Sequence, residues 1–196
     1  HTTISIDLTV DAVNDAPVLT AGTVSNLTVD EDSGFNSLGL AGVAHSVGGS
    51  ADESAQTLTY RVTVIPSPTF GQIFLADNVT VVSRGIYNLA DIQGMQFRPT
   101  AGVDGGTSFF EFQVIDDGGT ANGGSDRISE SIQITISPVN DAPQITSTTF
   151  VADENQTSIG TVTATDAEGD VPSWSIVGGP DNSDFGIDSV TGELSF

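Results

Sequence analysis

The sequence predicts an all-β protein, a tandem array of two-sheet sandwiches, and three observations carry that reading. Short runs alternate between apolar and polar residues with period two, as in TISIDLTV (residues 3–10) and SIQITI (residues 131–136). Glycine, proline, asparagine and aspartate punctuate those runs. The segment VNDAPVLT, residues 13–20, then returns as VNDAPQIT, residues 139–146. Helical periodicity is missing, and 22 glycines would weaken any long helix.

Taken in order, TISIDLTV reads as the last strand of a preceding domain, so residues 1–15 are that strand and its linker. After the first Asn-Asp-Ala-Pro joint comes the acidic turn VDED, residues 29–32. Five strands are expected next: TLTYRVTV (57–64), FGQIFLA (70–76), GMQFR (94–98), SFFEFQVI (108–115) and RISESIQITI (127–136). Several short strands between two joints suggest two packed sheets, so residues 16–138 form one complete sandwich. The second joint is followed by ADEN, residues 152–155, in the place of VDED. Residues 139–196 read as a linker and the N-terminal part of a further repeat. Proline holds the residue before it extended, which keeps both joints from coiling.

Charge narrows the partners. The chain carries 26 acidic side chains against four arginines and no lysine, a formal net charge of −22. Such a surface repels phosphate backbones and anionic lipid headgroups, which argues against nucleic acid and membrane surfaces and for cations. Acidic chains can be disordered, but 37% of these residues are hydrophobic and recur in alternating runs. Cysteine is absent, so there is neither a disulfide framework nor a thiolate metal site; this leans towards a bacterial surface protein. No run approaches the roughly 20 apolar residues of a membrane helix.

Catalytic patterns are sparse. The histidines are His1 and His45, and no Gly-x-Ser-x-Gly elbow occurs. His45 reads as a strand residue. Trp174 is the one tryptophan and aromatics are 7% of the chain, which gives little material for a sugar-stacking platform. Asp77, Asp104, Asp181, Asp184 and Asp188 read as solvated turn residues. Asp117 and Asp126 bound a glycine-rich hairpin loop. DAEGD, residues 166–170, has the acid spacing of a helix–loop–helix calcium loop, but Val177 stands at position 12, where a bidentate Glu is needed. The reading is therefore non-enzymatic.

ADENQTSIGTVTATDAEGD, then WSIVGG, then SDFGIDSVTGELSF follow the order of a cadherin repeat, and residues 139–196 resemble that family. FFEFQVIDDGGTANGGSD with the closing VNDAP makes residues 20–143 similar to the long repeats of large bacterial type I-secreted surface adhesins. The resemblance implies tandem Greek-key sandwiches, cadherin-like or immunoglobulin-like, with calcium at the joints. At the second joint it implies ligands from Glu31, Asn140, Asp141, Asp166 and Glu168, with Asp170 beside them. At the first it implies Asn14 and Asp15 from the linker and Asp116 from the end of FEFQVI. Asp52 and Glu53 stand where the family has an Asp-x-acid pair, and Glu154 would serve a third joint. The linkers lack one Asn of the family form, and Asp91 is the nearest substitute for an absent acid-Arg-Glu motif.

Together these features imply a secreted, cell-surface spacer supporting adhesion, stiffened by calcium and packed against neighbouring repeats of its own chain. The alternative is a sandwich that binds a glycan or a protein, either homophilically or as an accessory domain of a secreted hydrolase.

Overall fold

The computed structural model describes residues 3–49, 51–147, 149–153, 155–179 and 181–196. The fold is all-β, and the chain divides into two compact units, His1–Pro138 and Val139–Phe196.

Unit 1 begins with β1 (Val18–Ala21), β2 (Leu27–Asp30), β3 (Asn36–Ser37) and β4 (Ala44–Ser46). There follow β5 (Leu58–Val64), β6 (Gly71–Phe74), β7 (Gly85–Tyr87), α1 (Leu89–Gly94), β8 (Gln96–Pro99), β9 (Gly106–Asp116) and β10 (Arg127–Ser137). One sheet has the order β2-β10-β9-β5-β7, and opposite it lie the β1-β4 pair and the sheet β3-β8-β6. A single core joins the two layers, with Phe110, Phe112, Ile132 and Ile134 from the first packed with Ile73 and Phe97 from the second. The five strands expected between the joints are β5, β6, β8, β9 and β10. β9 and β10, of 11 residues each, form the long antiparallel hairpin.

Period-two alternation sorts every long strand into an inner and an outer face. On β9 the inner positions are Phe110, Phe112, Val114 and Asp116, all buried. On β2 the same phase runs through Val29 to Glu31, again buried. β2 lies parallel to β10, with Val29 opposite Ile136, and Glu31 N–H donates to Ser137 O at 2.9 Å. β9 runs antiparallel to β10, with Ile115 opposite Arg127. Glu31 therefore sits at the C-terminal end of β10 and Asp116 at its N-terminal end. An 11-residue strand at about 3.3 Å per residue separates them by roughly 30 Å. The core of unit 1 is thus closed by a buried acid at each end.

Two features of unit 1 depart from the sequence reading. NLADIQG holds the six-residue helix α1, held by a capping box in which Asn88 Oδ1 accepts from Asp91 N–H at 2.9 Å and Asp91 accepts from Asn88 N–H at 3.3 Å. A helix this short shows no apolar period, so local capping chemistry forms it, and Asp91 is a helix cap. Residues 3–13 carry no strand, and Ile4, Ile6, Leu8 and Val10 are exposed. A strand needs a sheet edge to satisfy its backbone, and none pairs with this segment among the described residues.

Unit 2 holds β11 (Gln144–Ile145), β12 (Ser158–Thr161), β13 (Ala164–Thr165), β14 (Gly186–Ile187) and β15 (Glu193–Ser195). They make the pair β11-β13 and the sheet β12-β15-β14. Trp174 is half-buried over Gly192, where a Cβ would stand 3.0 Å from the indole Nε1, and the backbone N–H of Trp174 donates to Ser189 O at 3.0 Å. WSIVGG forms no strand.

Candidate metal centre

The Asp116 end of unit 1 gathers linker and domain residues through a chain of hydrogen bonds. Asn14 Nδ2 donates to Asp116 Oδ1 at 2.9 Å and to Ser125 O at 2.7 Å, while its Oδ1 accepts from Gln56 Nε2 at 2.7 Å. Ser125 N–H returns a bond to Asn14 O at 2.9 Å. Asp15 N–H donates to Glu53 Oε1 at 2.7 Å. Gly118 N–H adds a second donor to Asp116 Oδ1 at 3.0 Å. Space for the linker comes from glycine: a Cβ on Gly118 would collide with the Asn14 carboxamide, and one on Gly49, at φ +49°, with the Glu53 carboxylate. Pro17 is buried next to the joint.

Each of the two buried carboxylates uses only one oxygen. Glu53 is 4% exposed and Asp116 5%. Among the described residues no donor reaches Glu53 Oε2, Asp116 Oδ2 or Gln56 Oε1. Burying a carboxylate oxygen with neither a donor nor a cation costs several kcal/mol in the general case. Glu53 Oε2, Asp116 Oδ2 and Gln56 Oε1 are hard oxygens short of a partner, two of them on anionic groups, and a hard cation would satisfy any of them. An all-oxygen donor set suits calcium or magnesium rather than zinc or copper.

Unit 2 repeats one bond of this wiring. Asp141 N–H donates to Glu168 Oε2 at 3.0 Å, the counterpart of Asp15 donating to Glu53. Asp166 Oδ1 accepts from Glu168 N–H at 3.1 Å and Asp170 N–H at 2.9 Å, which folds DAEGD into a tight acidic turn. Asp166 Oδ2 is buried and meets no donor among the described residues. Asn140 Nδ2 bonds Asp141 O at 3.1 Å, so its amide closes on the linker backbone. A cleft of about 510 Å³ opens beside Asp141, Gln144, Thr165 and Asp166.

The remaining sequence candidates fall as follows. Asp52 is exposed in the helical turn Ala51–Glu53, where its neighbour Glu53 takes the inward position. Glu31 closes the opposite end of unit 1, with a carboxylate oxygen within 4.8 Å of one on Asp104. Sequence reasoning treated Asp104 as a solvated turn residue; nothing in FRPTAGVDGG marks its approach to Glu31. Glu154 lies outside the described residues. Gln56 was missed too, because an amide two residues past GGSADES carries no acidic signal.

The other acids have local partners. Asp77 accepts from Val79 N–H, Thr80 N–H and the Thr80 hydroxyl, which hold its carboxyl below the usual range. Asp188 is lowered in the same way by the amides of Thr191 and Val190. Asp117 receives both the amide and hydroxyl of Thr57, Asp126 pairs with the adjacent Arg127 at 2.7 Å, and Asp116 N–H donates to Asp126 O at 3.0 Å across the base of the glycine-rich hairpin loop. His45 lies on β4 with Nε2 3.6 Å from Glu130 Oε1 and Nδ1 3.4 Å from the Tyr60 hydroxyl. Burial lowers its pKa below 6.5, against the pull of Glu130.

No family model and no curated protein matches the chain. Solved structures similar to it include protocadherin gamma B2 extracellular cadherin domains 3–6, at 16% identity and a TM-score of 0.41, covering 93% of this chain and 43% of that one. Mouse clustered PcdhgC3 EC1-3 follows at 17% identity and a TM-score of 0.42, covering 92% and 56%. The human desmocollin-1 ectodomain stands at 18% and 0.29, covering 87% and 31%. The chain spans about half the length of these structures or less. At such scores the likeness decides nothing, and the functional reading rests on the side chains described above.

Proposed function

We propose that this chain is a calcium-dependent extender, a non-catalytic spacer from an extracellular, cell-surface adhesin of the bacterial type I-secreted kind. The observation that carries the reading is the pair of buried carboxylates, Glu53 and Asp116, each with one unpartnered oxygen and each wired to the linker through Asp15 or Asn14. Calcium would take those oxygens, with Gln56 Oε1 and exposed Asp15 as further donors. It would supply charge neutralisation and coordination that no lysine or arginine supplies there. The repetition of the linker-amide-to-Glu bond at Asp141 and Glu168 supports one mechanism at both linkers.

Its consequence is mechanical. A flexible linker bonded only through neutral amides can hinge, whereas one tied through a divalent ion to both a strand end and a turn cannot. All four arginines lie between residues 61 and 127, so the linkers and unit 2 have no cationic side chain of their own to bridge their acids. Small-angle scattering on the 196-residue chain tests this. Calcium should give a stiffer, more extended particle than chelator, and sodium at matched ionic strength should not, because monovalent salt screens over about 8 Å but does not bridge. Equal stiffening by sodium would reduce the joints to charge-screened hinges.

One observation favours the alternative of a glycan- or protein-binding module. The Arg98 guanidinium lies 5.1 Å from the ring centroids of both Phe35 and Phe74. It borders a cleft of about 430 Å³ with Asp32, Gln72 and Thr100. That cleft belongs to unit 1, and neither Glu53 nor Asp116 lines it.

A further inference from the structure

Four arginines stand against 26 acids in this chain. Arg127 is paired with Asp126, whereas no acid reaches Arg98 among the described residues. Its place in the sheet β3-β8-β6 shows what holds it instead. On β8 the inward positions are Phe97 and Pro99, so Arg98 points outward, opposite Gln72 of β6. Phe74 also stands in the outer phase of β6, after inward Ile73, and is nevertheless only 5% exposed. The Phe35 ring meets it edge-on with centroids 5.1 Å apart, and the Arg98 guanidinium lies 5.1 Å from each ring. Two phenyl faces therefore fix the guanidinium before any ligand arrives, and its planar fork of N–H donors is left without an acceptor.

The cleft that Arg98 borders brings two further unused side chains to the same place. Gln72 and Asp32 both line its volume of about 430 Å³, and neither side chain has a hydrogen-bond partner among the described residues. Thr100 is committed, its hydroxyl donating to Pro68 O at 2.7 Å, which braces one wall. The free groups are thus a cationic fork, a neutral amide that both donates and accepts, and a carboxylate that only accepts. Asp32 and Arg98 share the cleft without forming an ion pair. A ligand that satisfies all three carries one carboxylate for Arg98 and hydroxyl groups for Gln72 and Asp32.

We propose that the Arg98 cleft binds a single acidic sugar, its carboxylate on the guanidinium fork and its hydroxyls on Gln72 and Asp32. The proposal deepens the binding-module reading given above and rests on it, while the extender reading stands apart from it. Three considerations select this ligand. The volume suits one or two sugar rings rather than a folded partner. Asp32 accepts from a hydroxyl but repels the second acid of an acidic peptide. A net charge of −22 works against a polyanion and leaves a lone carboxylate, as at the end of a glycan, the easier guest.

Nitrogen–proton correlation spectra of the 196-residue chain, titrated with D-glucuronate at neutral pH, test this. The Arg98 Nε–H and the Gln72 side-chain amide should shift saturably with a millimolar Kd, and D-glucose at the same concentration should leave them in place. R98Q should weaken binding about tenfold or more. R98K should weaken it nearly as much, because lysine keeps the charge but not the fork. Since Arg98 also covers Phe74, Q72A supplies a variant that leaves the stacked rings alone; it should weaken binding roughly three- to tenfold with an unchanged melting temperature. Equal shifts from glucose and glucuronate, wild-type affinity in R98K or in Q72A, or stronger shifts at these residues from tetra-aspartate would overturn the acidic-sugar site and leave a binding module of another specificity. Shifts from none of the three probes would overturn the site and the binding-module reading together.

Discussion

Phe97→Ala is expected to cost unit 1 about 3–5 kcal/mol and to lower its melting temperature by roughly 10–20 °C. Phe97 is fully buried on β8, opposite Ile73 of β6, and its ring centroid lies 5.8 Å from that of Phe70. Gly71 faces it so closely that a Cβ there would run into the ring. The glycine makes room for the aromatic, and the backbones on either side are tied into the β6–β8 ladder. The site therefore cannot collapse around a smaller side chain, and most of the cavity persists. Phe97→Leu should lose far less, since it keeps much of the volume. Thermal unfolding followed by circular dichroism measures both; a loss below about 1 kcal/mol for the alanine variant would mean that the layers repack freely.

Asp116→Asn should change sign with calcium. In millimolar calcium the wild type gains RT ln(1 + [L]/Kd), about 2.7 kcal/mol when calcium is a hundredfold above Kd. The variant should gain little. In chelator the order should close or reverse, because the amide removes a buried negative charge that is short of partners while keeping an oxygen for the Asn14 and Gly118 donors. A purely structural Asp116 would behave otherwise: the substitution would cost the same in both conditions. Melting curves of the two proteins, each with calcium and with chelator, separate the cases.

Much of the fold was legible because period-two alternation is strong in the long strands. FFEFQV and SIQITI announce β9 and β10, and the same alternation carries on into the site. Asp116 follows Phe110, Phe112 and Val114 on the inner face, just as Glu31 follows Val29. An acid in the inward phase at a strand's end is therefore a usable signal of a buried carboxylate. The short elements were not legible. α1 forms by capping between Asn88 and Asp91, and β7 is three residues long, too brief for any period to show. At the site, the choice of Glu53 over Asp52 depends on how the turn Ala51–Glu53 orients two adjacent acids. Composition cannot separate them. Gln56 and Asp104 enter through three-dimensional proximity alone.

The repeat was the more informative signal. One linker motif found twice implied one wiring twice, and the bonds from Asp15 to Glu53 and from Asp141 to Glu168 have the same form although GGSADES and DAEGD share little sequence. What persists between the copies is the backbone N–H after Asn, which needs a carboxylate to meet it.

Isothermal titration of calcium into the 196-residue chain measures most directly whether the orphan oxygens of Glu53 and Asp116 hold an ion. Saturable binding is expected with Kd of about 10⁻⁴–10⁻³ M or somewhat tighter, as for extracellular calcium modules. E53Q/D116N should remove one class of sites and leave any at Asp141, Asp166 and Glu168 intact. No binding at millimolar calcium, or an isotherm that the double variant leaves unchanged, would contradict it.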